Sequence, residues 1–506
     1  MSDTLKGRNY LRFSPLLVLA WGIFSILCLP VIPIASGFGW DGVFYGQVAM
    51  DFQHMIGSMD NYHSGRIFPG VLIHYILVLL RAPLTVSSAL RAYQVYTVCI
   101  LTASSWLWVK VSERANLSPM AGWTGFVALF VGYPVLNCFF YYPSLTDITV
   151  FFMGMAMLYA HLTRNRALLL AVSILSFFCW PTGIVIGMIL FVWSGLENTF
   201  WVERRKGIWP LLLIALVLSP LLFQIIRIAN IDSVVHFAAT HGLGGERVQD
   251  LVAEGAGKSY NWLALISSLV MVGFLLFIYW RLLWNFDVVG FIRASFKTDI
   301  LLRAGVALVL LVVLSILKRK LYDPTLPTVT FQAYVRDVIY LSTRFPFQFL
   351  ICPISYWGPV VLLLVLFFRD WVRVVKSTHL PLMLGLLFTL LFSINAESRS
   401  ITNFYPMLVF GVVLAIDFSR LKHLRLLLGL LVAVSLLYSK IWLPIHLPAT
   451  VFPVKIETGL GQFPMQWYFM NFGPWINGQM YLVHTLAAVI FFGVFYFAKR
   501  CFSRTP

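Results

Sequence analysis

The chain has 506 residues, of which 60% are hydrophobic and only 11% are charged, and its formal net charge is +17. Soluble domains contain about 25% charged residues, so this composition excludes a large soluble core and predicts an all-α, polytopic membrane protein. The basic residues are scattered among short loops, a distribution typical of membrane topology, and we predict no nucleic-acid partner.

Apolar runs long enough to cross a membrane recur from one end of the chain to the other. About 17–25 helical residues are needed to cross roughly 30 Å of hydrocarbon. The runs predict about 14 crossings, with roughly 12–14 as the range, in a single transmembrane domain without a separate soluble domain. The predicted crossings are 15–34, 87–109, 120–140, 148–163, 167–180, 182–195, 208–226, 261–280, 304–317, 347–368, 380–394, 402–418, 426–443 and 479–498.

The first long loop, 35–86, contains an apolar stretch at 69–80 that is short for a crossing and predicts an interfacial helix. With that helix in the interface, Lys and Arg concentrate in the short loops on one side, which is therefore predicted to be cytosolic. The long loops 35–86, 227–260, 318–346 and 444–478 then face outward. Further along, Trp180-Pro181 predicts a break between two half-length helices.

The first outward loop is the predicted catalytic loop. Asp41 follows the first crossing directly, between Trp40 and Gly42, and ionisable groups beside hydrocarbon are costly enough to indicate a function. A partly desolvated carboxylate is suited to accept a proton from an acceptor hydroxyl, the alternative being an ordinary solvated aspartate. Trp40 and Tyr45 are candidates for stacking on a sugar or for an interfacial aromatic belt, and Arg66 is a further candidate for binding the acceptor.

The same loop contains Asp51, His54, Asp60 and His63. These side chains supply enough donors for a divalent cation, but their spacing matches no defined metal signature. We therefore assign no metal ligands and no certain cofactor, and a divalent cation stays an open alternative.

Two later outward turns carry further charges. Asp147 follows a Pro-containing turn and is predicted to orient an acceptor, to ligate a cation or, like Thr146, to cap the next helix. Glu397 and Arg399 lie in a turn between two apolar runs. They are predicted either to pair with each other or to bind a phosphate through the forked guanidinium donor.

A basic group on the predicted outer face opposes the prevailing distribution of charge. It comprises Lys318, Arg319 and Lys320, followed in the same loop by Arg336 and Arg344. An anionic group presented at the membrane surface would explain it, either a lipid-linked phosphate substrate or ordinary lipid headgroups.

In their order and sidedness, Asp41, the Arg66–Gly70 segment before the interfacial helix, the Pro143–Asp147 turn and the Glu397–Arg399 turn resemble the GT-C superfamily. These polytopic glycosyltransferases use polyprenyl- or dolichyl-phosphate sugars. The resemblance covers roughly residues 10–200 and, more loosely, the chain up to 420. The chain departs from it at Trp180, where many relatives carry Arg, and we expect no large soluble C-terminal domain like that of oligosaccharyltransferases.

The resemblance implies an inverting transferase that moves a sugar from a polyprenyl-phosphate donor to a glycan or lipid acceptor. Asp41 would be the general base, acting at the outer face of a bacterial cytoplasmic membrane or, in a eukaryote, on the luminal side. The implied acceptor side contains Trp40, Tyr45, Arg66 and Asp147. The implied donor-phosphate side contains Lys318, Arg319, Lys320, Arg336, Arg344, Glu397 and Arg399. Two alternatives stay open: a transporter or flippase for a lipid-linked glycan, and an O-antigen-type polymerase.

Overall fold

The computed structural model describes residues 10–39, 41–196, 198–201, 259–326, 342–343, 345–377, 380–395, 397–419, 421, 423–443, 445–446, 466–467, 476 and 478–503. Within these residues the protein is all-α, as predicted, with 21 α-helices and one pair of two-residue strands, Ile445–His446 and Gln466–Trp467. Trp40, Arg336, Arg344, the predicted crossing 208–226, and most of the loops 227–260, 318–346 and 444–478 lie outside the described residues.

The helices before the first long gap form one series along the chain. They are α1 (Ser14–Cys28), α2 (Gly42–Met50), α3 (Phe52–Met55), α4 (Asn61–Ser64), α5 (Phe68–Leu79), α6 (Val86–Arg114), α7 (Pro119–Phe130), α8 (Phe139–Tyr141), α9 (Asp147–Leu162), α10 (Arg166–Phe177) and α11 (Pro181–Val192).

The helices after that gap form the second series. They are α12 (Ser259–Leu283), α13 (Val288–Ser295), α14 (Thr298–Arg319), α15 (Gln348–Trp357), α16 (Val360–Leu366), α17 (Phe368–Ser377), α18 (Leu380–Ser393), α19 (Tyr405–Phe418), α20 (Leu424–Ser439) and α21 (Gly478–Ser503).

Several of these helices are long and apolar enough to span a membrane. In the described part four qualify, namely α6, α14, the Ile266–Leu283 part of α12 and the Met480–Cys501 part of α21. A fifth is obtained if α7 and the following Pro134–Tyr141 segment, bent by 52°, are counted as one span. Eight further apolar helices have 10–17 residues. The figure of about 14 crossings stays a prediction.

Local backbone chemistry explains where the helices begin and end. Trp180 is extended and Pro181 begins α11, so the predicted break between two half-length helices is confirmed. The helix predicted at 69–80 is found at Phe68–Leu79, whereas its placement in the membrane interface stays a prediction. The predicted crossing 347–368 is wrong as a single helix. Gly358 has a φ of 78° and Pro359 follows it, so α15 ends there and α16 begins after it.

Helix α9 lies among α6, α10, α11 and α19, and nearly all of its residues are buried. A helix that is apolar on every face is stable only in such a position. At Gly154 there is no room for a side chain, since a Cβ would lie 2.1 Å from the carbonyl oxygen of Asn403. This close approach holds the segment before α19 against α9, whose first residue is Asp147.

The buried cation in α14 has a structural explanation. Arg303 Nη1 donates to the carbonyl oxygens of Phe191 and Ser194, at 3.2 and 2.7 Å, and Nη2 pairs with Asp299 at 2.6 Å. The carbonyls at the end of a helix have no partners within it, so Arg303 supplies donors to the end of α11.

Candidate functional site

Asp41 is held in place by the turn that precedes α9. The N–H of Gly42 donates to Tyr142 Oη at 2.9 Å, and Ser144 Oγ donates to the carbonyl of Phe38 at 2.8 Å. A Cβ on Gly42 would lie 2.1 Å from Ser144 Oγ, so only glycine fits at this contact. The backbone on both sides of Asp41 is therefore fixed, while the Asp41 side chain is 31% exposed.

Arg399 brings three carboxylates together. Its Nε lies 2.5 Å from Glu397 Oε1, its Nη1 lies 3.6 Å from Asp147 Oδ2, and its Nη2 lies 3.7 Å from Asp41 Oδ2. The predicted Glu397–Arg399 pair is thus confirmed. Burial by itself would lower the pKa of Arg399, but Glu397 and Asp147 outweigh that effect and raise it well above its ordinary value. Arg399 therefore stays charged.

Asp147 is the most deeply buried carboxylate of this group, with a side chain only 1% exposed. Thr146 makes no capping hydrogen bond, and neither carboxylate oxygen of Asp147 accepts a hydrogen bond within the described part of the chain. The capping alternative is therefore not realised. Arg399 and the positive end of the α9 dipole offset the cost of removing this charge from water.

A second cation of the site lies against two aromatic rings. The guanidinium carbon of Arg66 is 3.9 Å from the ring centroid of Tyr62 and 3.9 Å from that of Trp180. Tyr62 Oη in turn donates to Asp41 Oδ2 at 3.4 Å. The N–H of Phe68 donates to the carbonyl of Phe178 at 3.0 Å and fastens the loop to the break between α10 and α11.

The end of α14 is paired with the first loop through backbone contacts. Met59 forms a parallel bridge with Tyr322, whose neighbour Asp323 donates its N–H to the Met59 carbonyl at 2.8 Å. This pairing places Lys318 beside the loop, since a Cβ on Gly65 would lie 3.1 Å from Lys318 Nζ. Arg319 and Lys320, from the same predicted basic group, are exposed instead.

Tyr45 is 1% exposed and its carbonyl accepts a hydrogen bond from Tyr93 Oη at 2.9 Å, so it contributes to the core below the loop. The histidines of the loop pair separately with nearby aspartates. His54 Nδ1 lies 2.7 Å from Asp51 Oδ1, and His63 Nδ1 lies 2.5 Å from Asp60 Oδ2. Across the described residues no group of three or more His, Cys, Asp or Glu side chains is arranged to hold a metal ion.

Tyr62, Tyr142 and Ser144 were not among the residues predicted for the site. In the sequence only the carboxylate of Asp147 marks the turn that contains Tyr142 and Ser144, and Tyr62 lies in a stretch without regular periodicity. Comparisons of the chain with protein-family models, with curated proteins and with solved structures found no match.

Proposed function

We propose that the protein is a polytopic membrane glycosyltransferase of the GT-C type. It would transfer a sugar from a polyprenyl-phosphate carrier to a hydroxyl group of a glycan or lipid acceptor, with about 14 membrane crossings and the site facing outward. One observation carries the proposal: Asp41, Asp147 and Arg399 come from three distant parts of the chain and meet at the ends of apolar helices. Charges are costly in such a position and are concentrated where function needs them.

Tyr62 contacts charges of both signs, since its hydroxyl donates to Asp41 and its ring lies against Arg66. Arg399 faces the carboxylates of Glu397, Asp147 and Asp41, whereas Arg66 and Lys318 form no ion pair within the described residues. Transfer from a lipid phosphate requires a base beside the acceptor and positive charge beside the leaving phosphate, and residues of both kinds are present in this cluster.

In the proposed reaction the acceptor oxygen forms a bond to the anomeric carbon as the bond from that carbon to the phosphate oxygen breaks. The hydroxyl proton passes to the carboxylate of Asp41. The carrier leaves as polyprenyl phosphate, which takes the bonding electron pair. Because the donor is already activated, the protein needs only to orient both substrates, accept the proton and stabilise the phosphate.

Asp41 and Arg66 belong to the first loop, Asp147 is the first residue of α9, and Arg399 lies in the turn between α18 and α19. A transporter places its ionisable residues near the middle of the membrane, on the path of the substrate. The position of this cluster at helix ends therefore favours an enzyme over a flippase. The polymerase alternative depends on the loop containing Arg336 and Arg344, which lie outside the described residues.

The test uses the full chain in nanodiscs, a polyprenyl-phosphate [¹⁴C]sugar and glycolipids extracted from the native membrane as acceptors. We expect label to pass into a new glycosidic linkage, and Asp41→Asn to slow that transfer by about 100- to 10,000-fold, the usual contribution of a general base. Asp51→Asn, in the same loop but outside the cluster, is the matched control and should transfer at the normal rate.

An Asp41→Asn variant with the wild-type rate would exclude Asp41 as the base. If the wild-type protein moves labelled donor across a vesicle membrane without forming a new glycosidic bond, the protein is a transporter.

A further inference from the structure

Two cations that meet at the first loop, Arg66 within it and Lys318 in the last turn of α14, form no ion pair with a carboxylate in the described part of the chain. The Arg66 side chain is 9% exposed. Lys318 lies against Gly65, close enough to Arg66 for the two positive charges to repel each other. In the described residues no carboxylate oxygen lies within 4.0 Å of either group, although Asp41 and Asp147 are near enough to act on Arg66 electrostatically, and Asp60 is near enough to act on Lys318. Two like charges placed side by side away from water are unfavourable unless an anion joins them.

Arg399 differs from Arg66 in this respect. Each of the three guanidinium nitrogens of Arg399 faces a carboxylate, so a phosphate would have to displace those carboxylates to bind there. The guanidinium of Arg66 lies over the rings of Tyr62 and Trp180, and within the described residues its N–H groups have no hydrogen-bond acceptor, so they can donate to an anion. Guanidinium edges match phosphate oxygens in a forked arrangement, and a nearby ammonium adds a point charge.

We propose that Arg66 and Lys318 together form the site that binds the phosphate group of the lipid-linked donor, and that Tyr62 and Trp180 hold Arg66 in the required orientation. This assignment rests on the proposed function. It moves Arg66 from the acceptor side to the phosphate side and removes Arg399 from the phosphate side. The contacts with the two rings restrict the guanidinium before the substrate arrives, so less conformational entropy is lost on binding.

The experiment measures binding, which does not require turnover. The full chain is placed in phosphatidylcholine nanodiscs and titrated with ³²P-labelled polyprenyl monophosphate in one arm and with inorganic phosphate in the other. We expect Arg66→Gln and Lys318→Met each to weaken binding by about 10- to 100-fold, the usual range for a charge-assisted hydrogen bond. The arm in which the loss is seen identifies a lipid-borne or a free phosphate as the ligand.

Matched controls come from the opposite ends of the same two helices. The first control is Arg81→Gln, because Arg81 follows α5 whereas Arg66 precedes it. The second is Lys297→Met, because Lys297 precedes α14 whereas Lys318 lies in the last turn of that helix. Both control residues are exposed, and both variants should bind as the wild type does. Arg66→Lys, which keeps the charge but loses the fork, should fall between the wild type and Arg66→Gln.

A second measurement uses the wild-type protein and does not depend on the folding of a variant. An amine-reactive reagent should label Lys318 more slowly when polyprenyl monophosphate is bound, with Lys297 labelled at an unchanged rate. Wild-type binding by both cation variants, or unprotected labelling of Lys318, would overturn the assignment. Sugar transfer measured alongside such a result would show that the proposed function survives, whereas phosphate binding without any sugar transfer would refute the function and leave the phosphate site standing.

Discussion

Replacing Arg399 by Met tests whether the buried carboxylate of Asp147 depends on this cation. The two charged groups are 3.6 Å apart, and Asp147 has no hydrogen-bond donor in the described part of the chain. At that separation the gross attraction is about 4–5 kcal/mol with an effective dielectric constant of about 20. The side chains of Glu397 and Asp41 are 34% and 31% exposed. The ion pair that each forms with Arg399 therefore contributes only about 0–1 kcal/mol to the free energy of unfolding.

We expect Arg399→Met to lower the free energy of unfolding by about 3–5 kcal/mol, because it leaves a buried charge without a counter-ion. Asp147→Asn should cost about 1 kcal/mol or less, because Arg399 keeps its two other partners and no charge is left buried alone. The double variant should recover most of the loss caused by Arg399→Met, since the two substitutions act on one interaction.

The free energies can be measured by titrating the purified full chain in mixed micelles with sodium dodecyl sulfate while recording helical circular dichroism. Arg373→Met is the matched control. It removes a pair with Asp370 at 3.4 Å in which the Arg373 side chain is 63% exposed, so it should cost less than about 1 kcal/mol. If Asp147→Asn costs as much as Arg399→Met, or if the losses simply add in the double variant, Asp147 does not depend on Arg399 as its counter-ion.

Two further predictions concern packing and pH. Gly154→Ala should lower the free energy of unfolding by about 1–3 kcal/mol, because its Cβ would meet the backbone carbonyl of Asn403. Gly305→Ala, which has open space around it, should be neutral or stabilising by up to about 1 kcal/mol in the same titration. Burial raises the pKa of Asp60, but hydrogen bonds from the ring and backbone of His63 outweigh it and hold the pKa below its ordinary value of 3.8. The stability that Asp60 contributes is therefore present above about pH 4 and lost below it, and circular dichroism of Asp60→Asn should show a smaller loss on acidification.

Local signals in the sequence predict part of the structure. The break before Pro181 follows from the missing N–H of proline, and the Glu397–Arg399 pair joins residues two positions apart. The helix at Phe68–Leu79 follows from a run of apolar residues. In each case the interaction that decides the structure lies within a few residues of chain.

The remaining features depend on contacts between distant residues. Nothing near Arg66 indicates that it stacks on Trp180, more than a hundred positions away, and nothing near Met59 indicates its bridge to Tyr322. The basic group at the end of α14 was recognised from its charge. Only the backbone pairing, however, shows that Lys318 faces the first loop while its neighbours are exposed.

The bridge between Met59 and Tyr322 couples the first loop to the position that α14 takes in a membrane. In the apolar window of α14 only 22% of the residues are buried, and Leu302 and Leu308 are 70% and 64% exposed. In a membrane, the depth and tilt of such a helix follow hydrocarbon thickness more than protein contacts. The first loop is joined to the end of this helix at Met59 and to the break between α10 and α11 at Phe68, so a change in membrane thickness that moved α14 would shift Lys318 relative to Arg66. Lipid composition would thereby tune the spacing of the two cations without contacting either of them.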